Sequence, residues 1–425
     1  MDATLAVRAE PLLAPGFAAV ATLWLGFSGW VVVDRVRYDR RSRRLASIQR
    51  ALADPTLAAL APLERGAAVR DMLGRLPTLE VYRMIGNADL PPWVREQCGA
   101  HALEHVGLQR MLDDAKAHRG ARRKWRRISA LSALVYARPA SIHALLRQAL
   151  ADADADVASA AASVLQRLGD RRAAEILVGG LRASRLPASR IAARLSRFTI
   201  PFDDLLVPLL TSPRPEARYW AVTMLRKYHD YGVLVESILP LVDDSDAPVR
   251  KAALLTLAAM QAPDLVRLAT WRLTDPAPFV RSAALHALAQ AGERTPDRTR
   301  RSALATTIAP ALGDRDWSVR TAAKDALARL GPATWRVVAA QLSSDDRFAR
   351  NGAAEVLQNL GVLDWTLRGI ANGVRQSPEA VDVLKRALRE GGVPMADAAM
   401  VRSRAESVPA VDELLNSLEL EEAAS

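Results

Sequence analysis

The chain has 425 residues, half of them apolar but only 5% aromatic, with one cysteine, Cys98, and a formal net charge of +11. A single cysteine excludes a disulfide framework within the chain and agrees with a reducing compartment. Seven Arg against two Asp in residues 34–50, and five basic residues with no acid in 119–126, carry most of the charge; the near-neutral remainder excludes a long basic groove for nucleic acid.

After a short N-terminal tail (residues 1–11), residues 12–33 contain no charged side chain. As a helix those 22 residues measure about 33 Å, enough for a hydrocarbon core of about 30 Å. The pattern predicts a transmembrane helix over 12–33, followed by a basic juxtamembrane segment over 34–50. Arginines flank only the C-terminal end, so the positive-inside bias places the rest of the chain in the cytoplasm. A cleaved signal peptide is the rival; it needs a basic leader, a shorter apolar core and a small-residue cleavage site, whereas this run is long and meets arginine at Arg35. Ala18, Thr22 and Gly26 fall on one helix face, a spacing that lets two membrane helices pack closely.

From residue 51 onward Ala, Leu and Arg dominate, and alternating β-branched runs are absent, which predicts an all-α region over 51–392. A repeat runs through it. Arg95, Arg127, Arg190, Arg218, Arg250, Arg281, Arg320 and Arg350 form a column, with Ala158 in the one vacant place, at spacings between 28 and 39 residues. Three residues after each stands a small residue: Cys98, Ala130, Ala161, Ala193, Ala221, Ala253, Ala284, Ala323 and Ala353. Seven after stands leucine in most units, as at Leu134, Leu165, Leu225, Leu257, Leu288, Leu327 and Leu357. Offsets of three and seven share one helix face. Six before the column stand Asp89, Asp152, Asp244, Asp275 and Asp314, with Ser212 and Ser344 in the same slot, residues suited to a turn or N-cap. A second apolar helix precedes each turn, and Pro208, Pro240 and Pro310 recur ten before the column, where proline is expected to bend it.

The Asp-x-x-x-x-Val-Arg-x-x-Ala-x-x-x-Leu strings from Asp244, Asp275 and Asp314 resemble HEAT repeats of the PBS-lyase-like kind over about residues 85–375. The resemblance implies a right-handed α-solenoid of about nine to eleven helical hairpins, preceded here by the transmembrane helix. It also implies a ladder in which the turn aspartates Asp244, Asp275 and Asp314 bond the column arginines, namely Arg95, Arg127, Arg218, Arg250, Arg281, Arg320 and Arg350. The unit around Arg190 departs from the pattern, with Arg197 in the leucine place and no turn aspartate, so a bend is expected between about 170 and 205. The long gap before Arg320 holds an insertion near 292–302, expected as a surface loop. By resemblance the second helix of each hairpin lines the concave side. Its outward residues include Tyr219, Arg226, Lys251, His286 and Asp325, a mixed row suited to a protein partner.

His101-Ala102-Leu103-Glu104-His105 matches the inverted zincin pattern, in which two histidines one turn apart share a zinc and the glutamate activates water; Cys98 lies on the same face. The repeat already accounts for the stretch, since Cys98 fills the small-residue column, so no metal is expected and zinc at His101 and His105 is the lesser reading. No phosphate loop, nucleophile elbow or Cys-x-x-Cys occurs, which predicts neither enzyme activity nor a cofactor. Arg119, Arg122, Arg123, Lys124 and Arg126 form a basic patch for anionic headgroups or an acidic partner. The seven tryptophans from Trp93 to Trp365 are expected mainly as packing residues. Residues 393–425 read as a linker and a short acidic amphipathic helix, serving as cap or docking peptide.

These features predict a membrane-anchored, non-enzymatic scaffold that binds a protein partner at the cytoplasmic face of a bacterial inner membrane, with no nucleic acid and no small-molecule substrate. Family resemblance extends the expectation to an envelope or polysaccharide machine. The alternatives are a lipid-sensing adaptor, or a HEAT-type enzyme of the bilin-lyase or DNA-glycosylase kind. The anchor weighs against both enzymes, and the near-neutral surface against the second.

Overall fold

A computed structural model describes residues 10–87, 89–116, 121–228, 231–372 and 374–389; within its helices the side chains of residues 10–21, 41, 86, 121–123, 137, 231, 233, 371 and 389 lie outside the description. Every regular element among them is helical. The chain divides into two compact units, Met1–Pro187 with Arg197–Thr199, and Ala188–Ser196 with Ile200–Ser425. The division runs through the stretch whose repeat lacks its turn aspartate.

The first unit opens with α1 (Glu10–Ala53), a single helix of 44 residues. It continues through residues 34–50 without a break at the boundary expected after Val33. Leu52 at its end is fully buried, while Leu23, Trp24, Leu25, Phe27 and Trp30 are each more than 60% exposed. There follow α2 (Pro55–Ala59), α3 (Pro62–Gly74), α4 (Thr78–Gly86), α5 (Pro92–His105), α6 (Leu108–Lys116), α7 (Ala121–Ala137), α8 (Ile142–Leu150), α9 (Ala155–Leu168) and α10 (Arg171–Ala183). Helices α5, α7 and α9 pack side by side as one row, with α6 against α7 and α8 against α9 closing hairpins.

The second unit holds α11 (Ala188–Leu195), α12 (Asp203–Leu206), α13 (Pro215–Leu225), α14 (Tyr231–Ile238), α15 (Ala247–Ala259), α16 (Leu265–Arg272), α17 (Pro278–Glu293), α18 (Arg298–Ile308), α19 (Trp317–Leu330), α20 (Trp335–Ala340), α21 (Arg347–Asn359), α22 (Val362–Ala371) and α23 (Pro378–Arg389). Helices α13, α15, α17, α19 and α21 form its inner row, each against the next, and α14, α16, α18 and α20 pack on the helices that follow them. The repeat columns explain the row. Ala221, Ala253, Ala284, Ala323 and Ala353, and Leu225, Leu257, Leu288, Leu327 and Leu357, are all 0% exposed. Small side chains let neighbouring axes approach, and each leucine one turn on removes enough apolar surface to contribute about 1.5–3 kcal/mol.

Several expectations need correction. In α11 the buried residues are Ile191, Ala192 and Leu195 while Ala193 is exposed, so the core register is shifted and Arg190 does not belong to the column. Pro208, Pro240 and Pro310 do not bend α-helices; each is the second residue of a 3-10 segment that finishes the first helix of a hairpin. Proline supplies no N–H for the i−4 bond, so the chain tightens into a 3-10 turn. The insertion near 292–302 is mostly helical rather than a loop, lengthening α17 to Glu293 and starting α18 at Arg298. Gly292 makes this extension compatible with packing, since a Cβ there would lie 2.1 Å from Leu330 Cδ2.

The expected transmembrane helix over 12–33 is not shown: among the described residues no helix is long and apolar enough to cross a membrane. Ten residues of that segment, 12–21, have side chains outside the description. The acidic helix expected within 393–425 and Arg119 of the basic patch also lie outside the described residues.

Candidate functional site

The hairpin turns of the second unit carry an ion-pair ladder. Arg218 donates from Nε and Nη2 to Asp244 at 2.6 and 2.7 Å, Arg250 to Asp275 at 2.8 and 2.8 Å, and Arg281 to Asp314 at 2.8 and 2.7 Å. Each arginine bonds the aspartate of the next hairpin. It is held in place by its Nη1, which donates to the backbone carbonyl six residues earlier, Ser212, Asp244 and Asp275 respectively. In the first unit Arg127 bonds Asp152 at 2.5 Å. Burial pushes the carboxyls of Asp244, Asp275 and Asp314 up, but the arginine bonds and a backbone N–H two residues on outweigh it and hold all three below the usual carboxylate range. Among the described residues Arg95 and Arg320 make no such carboxylate bond, Arg95 Nε being buried without a hydrogen bond; Arg350 repeats the Nη1 bond to the carbonyl six residues earlier, Ser344, at 2.9 Å.

The ladder aspartates are not helix caps. Capping falls two residues later, to Asp154, Asp246, Asp316 and Asp346, whose carboxylates accept from the first-turn amides of α9, α15, α19 and α21. The Asp-x-Asp spelling of the first three turns held this signal: one carboxylate for the neighbouring hairpin and one for the local helix.

The outward face of the inner row carries the residues expected to meet a partner. Tyr219 is half-buried and meets Trp220 edge to face at 5.0 Å, and Arg226 is exposed at the end of α13. Lys251 is exposed, with Nζ 6.0 Å from the Phe279 ring centre. His286 Nδ1 lies 3.8 Å from Asp325, and both side chains are about half exposed. The structure thus joins His286 to Asp325 and Lys251 to Phe279. Sequence reasoning missed the pairs that extend this ridge, Arg329 with Glu293 at 2.8 Å and Lys324 with Glu355 at 2.6 Å. These join neighbouring helices, and their 31- and 36-residue separations were the available signal.

The tryptophans are not mainly core residues. Trp125, Trp271, Trp317 and Trp365 are 53–70% exposed. Phe279 and Phe348, each two before its column arginine, are 40% and 41% exposed.

The basic patch is partly neutralised within its own unit. Lys124 bonds Asp156 at 2.5 Å and Asp154 at 3.0 Å, and Arg126 lies 3.1 Å from Asp114. Arg122 and Arg123 lie in α7 with side chains outside the description.

The zinc pattern folds without a zinc geometry. His101 is buried and its ring stacks on His105 at 4.0 Å with an interplanar angle of 20°. Imidazole lone pairs lie in the ring plane, so two stacked rings do not converge on one ion. His105 Nδ1 lies 3.2 Å from its own helix's His101 carbonyl, and Glu104 is 67% exposed. Burial pushes the Cys98 thiol up to about 12, far from the thiolate a metal requires. Among the described residues no group of three His, Cys, Asp or Glu is placed to hold a metal.

Rows of helical hairpins with a shared apolar seam and a turn ladder define the α-solenoid class, within each unit. Residues 204–289 and 235–306 match the family model for HEAT repeats. No curated protein sequence matches the chain. Among solved structures, the chain is similar to that of Kap95p with RanGDP (12% identity, TM-score 0.45, covering 82% of this chain and 50% of that one). It is likewise similar to the karyopherin Kap121p bound to the SUMO protease Ulp1p (11% identity, TM-score 0.39, covering 84% and 50%). The chain thus matches about half the length of each.

Proposed function

We propose that this protein is a non-enzymatic scaffold. Its hairpin rows bind a protein partner, and α1 tethers it to the cytoplasmic face of a bacterial inner membrane beside an envelope complex. The observation that carries the tether is the described part of α1. Leu23, Trp24, Leu25, Phe27, Trp30, Val31, Val32 and Val33 are between 42% and 74% exposed, on every side of the helix. A helix apolar all round belongs in a nonaqueous environment. Residues 22–33 alone measure about 18 Å, short of a hydrocarbon core of about 30 Å. Spanning therefore rests on the uncharged residues 12–21 as well.

The partner reading is supported by the ridge from Tyr219 to Glu355, where polar and aromatic groups stand on a rigid apolar seam. Such a surface offers many weak, spatially fixed contacts and no converging nucleophile, acid and base. Lipid sensing has less support, because Lys124 and Arg126 already face carboxylates. The test is alkaline extraction of membranes holding the full chain or a deletion of residues 12–33. The full chain is expected in the pellet and the deletion in the supernatant. A full chain recovered wholly in the supernatant overturns the tether.

A further inference from the structure

The ladder has an open end. Arg320 adopts the pose of Arg218, Arg250 and Arg281, its Nη1 donating to the Asp314 carbonyl at 2.8 Å and the Arg315 carbonyl at 3.2 Å. In those three units the pose aims Nε and Nη2 at the turn aspartate of the next hairpin. Here the next hairpin has Ser344 in that slot. Its Oγ keeps the local half of the aspartate's work, accepting from the Asp346 amide at 3.2 Å, as Asp314 accepts from Asp316. It does not replace the carboxylate. Among the described residues no acid lies within ion-pair distance of Arg320, although Asp345 is exposed one residue along the chain.

The guanidinium is nevertheless fixed. Its Cζ lies 4.2 Å from the Phe348 ring centre, and Arg347 stacks against the same ring at 4.7 Å. Arg347, on the same ring, and Arg315, whose carbonyl accepts from Arg320 Nη1, are both exposed, and Trp317, one turn before Arg320 on α19, is 70% exposed. A pre-oriented fork with two unused donors, backed by an aromatic ring and flanked by cations, is the arrangement that selects a planar carboxylate bidentately.

We infer that Arg320 and the Ser344 notch form a carboxylate-binding site, and that an acidic side chain of a partner protein takes the place of the missing ladder aspartate. The inference deepens the scaffold reading and rests on it, since it names the chemistry by which one partner segment is held.

The test uses the full chain in detergent and a fluorescein-labelled dodecapeptide of alternating Glu and Gly, with a Gln–Gly twin. Fluorescence anisotropy reads binding. The Glu peptide is expected to bind the unaltered chain at least tenfold more tightly than its twin. Arg320→Gln is expected to lose that tenfold preference. Ser344→Asp, which supplies an internal carboxylate, is expected to lose it too while raising the melting temperature, and Ser344→Asn is expected to retain it. Equal binding of both peptides, or Ser344→Asp binding like the unaltered chain, overturns the inference. Those outcomes leave the scaffold reading standing, because its own test is membrane extraction and partner capture.

Discussion

Replacing Asp275 by alanine removes the most enclosed rung of the ladder. The Asp275 side chain is 0% exposed, and the Arg250 side chain it bonds is 11% exposed. It accepts Nε and Nη2 of Arg250 at 2.8 Å each, the Ala277 amide at 3.0 Å and Arg272 Nη1 at 3.4 Å. In the variant Arg250 keeps only the carbonyls of Asp244 and Ser245. Leaving one member of a buried pair uncompensated costs about 3–5 kcal/mol. For a unit of this size each kcal/mol shifts the midpoint by about 2–4 °C, so a fall of about 6–20 °C is expected. Thermal unfolding followed by far-ultraviolet circular dichroism measures it. The control is Asp364→Ala, which removes an exposed partner of Arg368, with side chains 58% and 71% exposed, and is expected to shift the midpoint by about 2 °C or less. Removing both Arg250 and Asp275 in favour of Met and Leu is expected to cost less than Asp275→Ala alone, because no buried charge is left unpaired. Equal effects from Asp275→Ala and Asp364→Ala refute the reasoning.

The ladder also sets an acid limit. Asp152, Asp244, Asp275 and Asp314 all titrate below their ordinary value, so their contribution is complete above the unfolded carboxylate value of about 4 and is lost as pH falls through the lower folded values. Urea unfolding across pH 7 to 2 is expected to show constant stability down to about pH 5 and a steep loss below about pH 4, with Asp275→Asn narrowing its deficit in that range. Gly99→Ala is expected to destabilise the first unit by about 1–3 kcal/mol, because the new Cβ meets Tyr136 Cβ at 2.5 Å and Cγ at 2.6 Å. The Tyr136 hydroxyl is held by Arg167 at 2.7 Å, so the ring has little freedom to yield. Gly179→Ala, with nothing within 4 Å, is expected to be neutral or stabilising. Dialysed protein is expected to hold no stoichiometric zinc, with His101→Ala indistinguishable; one zinc per chain that disappears in the variant contradicts the stacked-ring argument.

The seam was legible because it depends on burial alone. Offsets of three and seven from the arginine column identify helix positions that pack on both neighbours, and those positions are 0% exposed from Ala221 to Leu357. Register was not legible at Arg190, where arginines crowd the helix and the buried face, Ile191, Ala192 and Leu195, carries no distinguishing polar partner. The insertion before Arg320 reads as polar and arginine-rich, yet it is helical, because Asp297 caps α18 at the Thr299 amide and Arg294 reaches the Ala258 carbonyl at 3.1 Å. The histidine motif misled for a different reason. Spacing places two rings on one face but does not set their rotamers, and stacking turned both lone-pair planes away from a common point. The exposed aromatics at Phe279, Trp317 and Phe348 lie on helix first turns, outside the burial pattern that offsets can reveal.

The central claim is that the ridge on α13, α15, α17, α19 and α21 holds a protein. Affinity capture of the full chain in mild detergent, set beside a chain carrying Lys251→Glu and Asp325→Arg, tests it most directly. These two exposed side chains lie outside the buried seam, so the variant is expected to fold with an unchanged melting temperature. The account predicts a reproducible set of captured proteins that the altered chain no longer retains. No reproducible protein with either chain, or the same set with both, contradicts it.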